Sequence, residues 1–172
     1  MELKNILEAV LFSSSRPIAL KQIKKRLEEF PSEEIEQALA SLIVEYDGPG
    51  RSVEIAQVAG GYQMRTKVDY RDYVKRFVRE KDVGLTRSML ETLSIIAYKQ
   101  PVTKKDIDMV RGVDSARSVK HLLERRLVEM AGRNGDAGNR IVFRTTDRFL
   151  EVYGLRGIED LPTFKEIESL EG

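Results

Sequence analysis

The sequence of 172 residues contains no cysteine and only one histidine. Without cysteine, disulfides and thiolate metal sites are excluded, an absence that fits a reducing cytoplasm. Long apolar runs are also missing. A stretch such as Ile95-Ile96-Ala97 falls far short of the ~20 apolar residues that span a bilayer, so no membrane contact is expected. The opening Met1-Glu2-Leu3-Lys4-Asn5 has no basic n-region, apolar h-region or small-residue cleavage site, which argues against a signal peptide. Net charge is nearly absent as well, at a formal +1. That excludes dense, nonspecific phosphate binding by the whole surface and leaves room for a local patch.

Most catalytic constellations are missing too. A functional histidine needs a carboxylate, nucleophile or metal co-ligand nearby. His121 has no second histidine to join and lies in no HExxH, so a surface or boundary histidine is the better account. The G-x-S-x-G elbow of serine nucleophiles is absent. Gly48-Pro49-Gly50-Arg51-Ser52 superficially resembles a phosphate loop, but it lacks the Walker spacing and follows a helix rather than a strand. It reads as a turn. Glu33-Glu34 read as first-turn helix residues, well placed against the helix dipole. The chain is expected to be non-catalytic, with no cofactor and no metal, and to work by binding other macromolecules.

What is present is core material and a solvated surface. Hydrophobic residues make up 41% and charged residues 33%, the latter above the usual ~25%. Leu3, Ile6, Leu7, Val10 and Leu11 recur at helical spacing, predicting a helix over 3–13. A second helix is expected over 19–29, with Leu20, Ile23 and Leu27 inward. A third, with Ser32 as its cap, carries Ile35, Leu39, Leu42 and Ile43 to about Tyr46. Strands at 53–58 and 62–66 then form a hairpin, joined around Gly60-Gly61, since paired glycines supply positive φ. A further helix near 69–80 leads into a second set of elements.

The order then repeats. Helix 86–98 carries Met89, Leu90, Leu93, Ile96 and Ala97, and Pro101 breaks it as Pro17 broke the first. Helix 103–110 carries Ile107, Met109 and Val110. Gly112 stops it, and Ser115 is expected to cap a helix over 115–126 with Val119, Leu122 and Leu123 on one face. Short strands at 127–131 and 140–145 flank a glycine-rich loop from Gly132 to Gly138, and residues 147–153 close with a short helix. At the offset set by the two prolines, Ile23 matches Ile107, Ile35 matches Val119, Leu39 matches Leu123 and Ile43 matches Leu127. Leu7-Glu8 matches Leu90-Glu91 after a one-residue slip. Such an echo reads as a duplicated module. The fold class expected is mainly α with small β-hairpins (α+β), in two tandem winged-helix domains. Their bounds are 1–66 and 85–156, with a helical linker at 67–84 and an acidic tail at 157–172.

A winged helix invites a DNA reading, because its third helix commonly enters the major groove. In the first module that helix opens with Glu33, Glu34 and Glu36, which would meet phosphates with like charge. In the second, Arg117, Lys120, His121, Arg125 and Arg126 give a basic face, with Lys104 and Lys105 before it and Arg133 and Arg140 flanking the loop. That face supports phosphate positioning without base readout, or a grip on an acidic partner, or simply a solvated charged helix. DNA binding by the chain alone is expected to be weak and nonspecific at most. The competing reading is a tandem winged-helix transcriptional regulator.

Several stretches closely resemble the bacterial segregation and condensation protein B (ScpB) family. They are Gly60-Gly61-Tyr62-Gln63-Met64-Arg65-Thr66, Leu90 to Thr103 with its IIAYKQPVT segment, Arg111-Gly112-Val113-Asp114-Ser115, Leu122 to Val128 and Thr145 to Leu150. The resemblance runs from about Leu3 to Pro162. The departures are mild: Met64 where leucine is usual, Lys99 where arginine is usual, Asp114 where asparagine is frequent. The resemblance implies a non-catalytic condensin subunit of the SMC–ScpA–ScpB complex that acts in chromosome condensation and segregation. It implies binding to the kleisin ScpA, to SMC through ScpA, and homodimerisation through the N-terminal module, in the cytoplasm at the nucleoid. By motif matching, Tyr98, Lys99, Gln100, Arg111, Ser115 and Arg117 are the expected partner-binding residues. Leu3, Ile6, Leu7, Val10 and Tyr62 are expected at the dimer contact.

Overall fold

A computed structural model describes residues 2–78, 84–134 and 139–170. The chain divides into two units. One comprises Met1–Glu80 together with Gly154–Gly172, and the other is Lys81–Tyr153. The second unit is thus inserted between two segments of the first.

The first unit begins with α1 (Leu3–Ser13), α2 (Leu20–Arg26) and α3 (Ser32–Asp47). An antiparallel hairpin follows, β1 (Val53–Val58) and β2 (Gly61–Thr66), then a single 3-10 turn at Val68–Tyr70 and α4 (Arg71–Phe77). Leu7 and Leu11 of α1 share a face one turn apart. On α3, Ile35, Leu39, Leu42 and Tyr46 repeat at helical spacing. These residues, with Ile23 and Ile55, form the core. Each such leucine or isoleucine side chain contributes roughly 1.5–3 kcal/mol on burial.

Two local expectations are corrected here. Ser32 is the first helical residue, Pro31 holds the cap position, and no side chain caps the helix. At the hairpin turn the positive φ values belong to Ala59 (48°) and Gly60 (68°), while Gly61 is already in β2. Gly61 is needed for another reason. A Cβ there would lie 2.9 Å from the Ile18 carbonyl carbon, because Ile18 and Tyr62 exchange two main-chain hydrogen bonds of 2.9 Å beside it.

The second unit contains α5 (Arg87–Lys99), β3 (Val102–Thr103), α6 (Lys104–Arg111), α7 (Ala116–Glu124), β4 (Val128–Asn134), β5 (Arg140–Thr145) and α8 (Asp147–Tyr153). Its sheet runs β3-β5-β4, all antiparallel. Helix α6 starts with a reciprocal capping box between Thr103 and Asp106 and stops at Gly112, which takes φ +71°. The core gathers Leu93, Ile96, Val102, Ile107, Leu122, Leu127, Val128 and Phe143. Residues 135–138 of the glycine-rich loop, and 79–83 of the expected linker region, lie outside the described residues.

The chain then returns to the first unit. A 3-10 turn at Ile158–Asp160 and α9 (Phe164–Leu170) occupy the segment expected as an acidic tail. The carbonyls of Leu155 and Arg156 accept the N–H groups of Ala59 and Gly60, at 2.8 and 3.1 Å. Asp160 folds back on Arg156 in a two-pronged pair of 2.6 and 2.9 Å.

The echoed positions Ile23, Ile107, Ile35 and Val119 are all buried. Leu7 is fully buried whereas Leu90 is 43% exposed, so the one-residue slip matched a core residue with a surface one. Met109 and Val110 also face solvent. In an eight-residue helix with Ile107 as its core contact, a residue two positions on points to the opposite side.

Candidate interaction surfaces

In the second unit, the residues singled out as partner contacts separate into supporting and exposed groups. Gln100 is half-buried. Its side-chain oxygen accepts the Thr145 N–H at 2.7 Å and the Thr145 hydroxyl at 3.0 Å. Ser115 is fully buried, and its hydroxyl donates to Asp108 Oδ1 at 2.5 Å. It holds the position before α7 without capping it; the Ala116 N–H bonds Asp114 instead. The Arg111 side chain is only 8% exposed. It donates to the Ser88 hydroxyl at 3.0 Å and to Glu91 at 3.2 Å, tying α6 to α5. Tyr98 is half-buried. Lys99 and Arg117 are exposed and are the two charged members of the set open to a partner.

Charge in this unit is largely matched. Lys104 pairs with Asp108 at 2.7 Å and also with Asp114. These hydrogen bonds raise the Lys104 ammonium above its usual range and hold the Asp108 carboxyl below the usual carboxylate range, with Ser115 adding to the latter. Arg144 pairs with Glu129 at 2.7 Å, and Lys120 lies 3.9 Å from Glu124. His121 is half-buried and its Nδ1 lies 3.0 Å from Glu124. Among the described residues Lys105, Arg117, Arg126 and Arg140 are exposed and make no ion pair.

In the first unit, Leu7 has no exposed surface. Leu3, Ile6, Val10 and Tyr62 are half-buried, and Leu3 and Tyr62 pack on the core. The exposed apolar residues are others, among them Phe12 (80%), Val68 (77%) and Phe77 (89%). Phe12 directly follows the buried Leu11, 100° further round α1, so helical spacing alone places it off the core stripe. Lys4, Glu45 and Arg51 form a chain of ion pairs at 2.6 Å each, and the Arg51 guanidinium lies 4.8 Å above the Tyr46 ring. The first turn of α3 exposes Glu33 and Glu34. Among the described residues no group of three acidic, cysteine or histidine side chains is placed to hold a metal ion. None of the described helices is long and apolar enough to cross a membrane.

Comparison with known proteins places these features in a family. The model of the segregation and condensation complex subunit ScpB matches residues 5–164. Segregation and condensation protein B of Syntrophotalea carbinolica is 42% identical over 170 residues, covering 99% of this chain and 86% of that protein. The Clostridioides difficile protein of the same name is 37% identical, covering 98% and 96%. Among solved structures, ScpB from Mycobacterium tuberculosis is 32% identical with a TM-score of 0.42, covering 90% of this chain and 96% of that one. A dimer of an ScpB N-terminal domain complexed with an ScpA peptide is 26% identical with a TM-score of 0.40, covering 44% and 93%. The chain belongs to the ScpB family of segregation and condensation complex subunits.

Proposed function

We infer that this chain is a non-catalytic subunit of a bacterial condensin. It binds the kleisin ScpA and, through it, SMC, associates with itself, and supports chromosome condensation and segregation at the nucleoid in the cytoplasm. The observation that carries this reading is the family match across residues 5–164, joined by relatives whose identity extends over nearly the whole chain. Within it, the two units act as tandem winged-helix modules. The second offers ScpA a surface around Lys99, Arg117 and Tyr98, supported from beneath by Gln100, Arg111 and Ser115. The first self-associates through the exposed parts of Leu3, Ile6, Val10 and Tyr62. Co-expression with ScpA tests the first of these assignments. Arg117→Glu should reduce retention of ScpA, and full retention would remove that surface from consideration.

One observation favours a second reading: the exposed Lys105, Arg117, Arg126 and Arg140 of the second unit, of which Lys105 and Arg140 also act on the Asp106 carboxylate, suit phosphate. A transcriptional regulator would show sequence-dependent affinity with a steep salt slope, and a condensin subunit weak or no binding alone. Two features of the first unit weigh against the regulator. Its α3 opens with exposed Glu33 and Glu34. Its hairpin tip is hydrogen-bonded to Leu155 and Arg156 of its own chain, which leaves those two amides unavailable to a nucleic acid.

A further inference from the structure

The formal charge of +1 conceals a division between the two units. Lys81–Tyr153 holds 14 lysines and arginines against 10 acidic residues, a surplus of +4. The two segments of the first unit hold 15 against 18, a deficit of −3. A near-neutral chain thus carries one cationic unit and one anionic unit, and a local surplus of this kind attracts a polyanion even where the whole molecule does not.

Several cations of the second unit are matched. Lys104, Arg144 and Arg148 sit in ion pairs of 2.7 to 3.1 Å, and Arg111 is enclosed against Glu91. The β4–β5 hairpin is different. Arg133 lies opposite Ile141, one position from the pairing of Asn134 with Arg140. Its guanidinium donates to the Asn139 carbonyl at 3.2 Å, next to Arg140 in the chain. Thr103 pairs with Val142 of β5, which brings the start of α6, and with it Lys105, to the same stretch of strand. Hydrogen bonds from Thr103, and then the nearby Lys105 and Arg140, hold the Asp106 carboxyl below the usual carboxylate range. Three exposed cations, Lys105, Arg133 and Arg140, are therefore gathered here with Asp106 beside them, a local charge of +2 (three less one). The hairpin of the first unit has no such cluster: Arg65 is matched by Glu54 at 2.7 Å, and its turn amides are bonded to Leu155 and Arg156.

We propose that the β4–β5 hairpin, with Lys105 beside it, holds the phosphate backbone of duplex DNA without regard to sequence. A two-stranded ribbon is narrow enough to lie along a groove, and the planar arginine forks suit phosphate oxygens. Toward the turn the two arginines adjoin Asn134 and Asn139, not the aromatic or aliphatic anchors that dominate binding between proteins. The contact positions the duplex rather than reading it: cations displace counterions from phosphates and engage no base edge. It therefore differs from the regulator reading, which demands a preferred sequence. It uses none of Tyr98, Lys99 and Arg117, the residues offered to ScpA, so either assignment can fail without the other.

The test is fluorescence anisotropy of two short labelled duplexes of unrelated sequence, titrated with the full chain across a series of salt concentrations. The proposal predicts equal affinities within about threefold, in the ~10⁻⁴–10⁻⁶ M range of nonspecific binding, and a slope of log K against log salt of about −2.7 for three phosphates. Lys105→Gln, Arg133→Gln and Arg140→Gln should each weaken binding by about threefold and reduce that slope by about 0.9. Lys25→Gln, which removes an exposed charge from α2 of the first unit, should change neither. Asp106→Asn, which keeps an oxygen for Thr103, should tighten binding by about threefold, a gain that misfolding could not produce. No binding at low salt, a slope that the three hairpin-cluster variants leave intact, an equal loss from Lys25→Gln, or more than about tenfold preference for one duplex would overturn it. So would a polyglutamate peptide bound as tightly as the duplexes, which would assign the cluster to an acidic protein partner.

Discussion

The side chain of Gln100 joins the end of α5 to the end of β5 by accepting both the N–H and the hydroxyl of Thr145, at 2.7 and 3.0 Å. Its own amide donates to the Ala97 carbonyl at 3.3 Å. Gln100→Ala would leave the Thr145 N–H without its acceptor. The expected loss is about 1–3 kcal/mol of stability, read from denaturant unfolding of the full chain. A variant as stable as the parent would show that this bracket contributes nothing.

Arg111 and Arg117 should separate stability from partner binding. The Arg111 guanidinium bonds Ser88 and Glu91 and is almost wholly enclosed. Its Nε is buried without a partner among the described residues. Arg111→Ala is expected to lower stability by about 1–3 kcal/mol. Arg117 is exposed and unpaired, so Arg117→Glu should change stability by no more than about 0.5 kcal/mol while reducing ScpA retention. Thermal melting alongside a pull-down reads both. The opposite assignment of effects would refute the division.

Neighbouring glycines at the β1–β2 turn should respond unequally. Gly60 sits at φ +68° with open space around its missing Cβ, so Gly60→Ala is expected to cost about 1–2 kcal/mol from the left-handed backbone alone. Gly61→Ala would press a methyl group against the Ile18 backbone at 2.9 Å, disturbing the Ile18–Tyr62 bridge. It should cost more, up to about 3 kcal/mol. Unfolding midpoints check the order, and equal effects would contradict it.

Acid should weaken the return segment of the first unit. The Asp160 carboxyl is held down at about 2 by its side-chain and backbone hydrogen bonds from Arg156. A carboxyl depressed in the folded state takes up protons more readily in the unfolded one. Its contribution is therefore complete above the ordinary value of 3.8 and disappears as pH falls through about 2. Asp160→Asn should be less stable than the parent at neutral pH, and the gap should close in that acid window. A gap independent of pH would argue against the pair. Asp160 is half-buried but its partner Arg156 is exposed, so the effect should be small and reduced by salt.

Much of the fold was legible because it depends on local periodicity. The stripes Leu7–Leu11 and Ile35–Leu39–Leu42 are core residues in the sequence pattern and in the structure alike. The β1–β2 register follows from β-prone runs around a tight turn. Where the pattern misled, the reason was non-local or a matter of one residue. Gly61 carries the mark of a turn glycine, but its constraint comes from Ile18, 43 positions earlier in sequence (61 less 18). Ser115 has the chemistry of a cap and sits at the right place, yet Asp108 captures its hydroxyl. Leu90 lies beside true core residues on α5 but falls outside their face. Asp160 folds back on Arg156, while Leu155 and Arg156 bond the hairpin turn; nothing in an acidic, apolar-poor stretch announces that return. Interaction surfaces were the least legible. Motif residues such as Gln100 and Arg111 turn out to be internal supports, while the exposed Phe12 belongs to no motif.

The central claim, a condensin subunit that binds ScpA and self-associates, is tested most directly by the mass of the complex formed when the full chain is co-expressed with ScpA. The predicted result is a single species, stable through size exclusion, whose mass contains ScpA and more than one copy of this chain. Separate elution of ScpA and of this chain as a monomer would contradict the account.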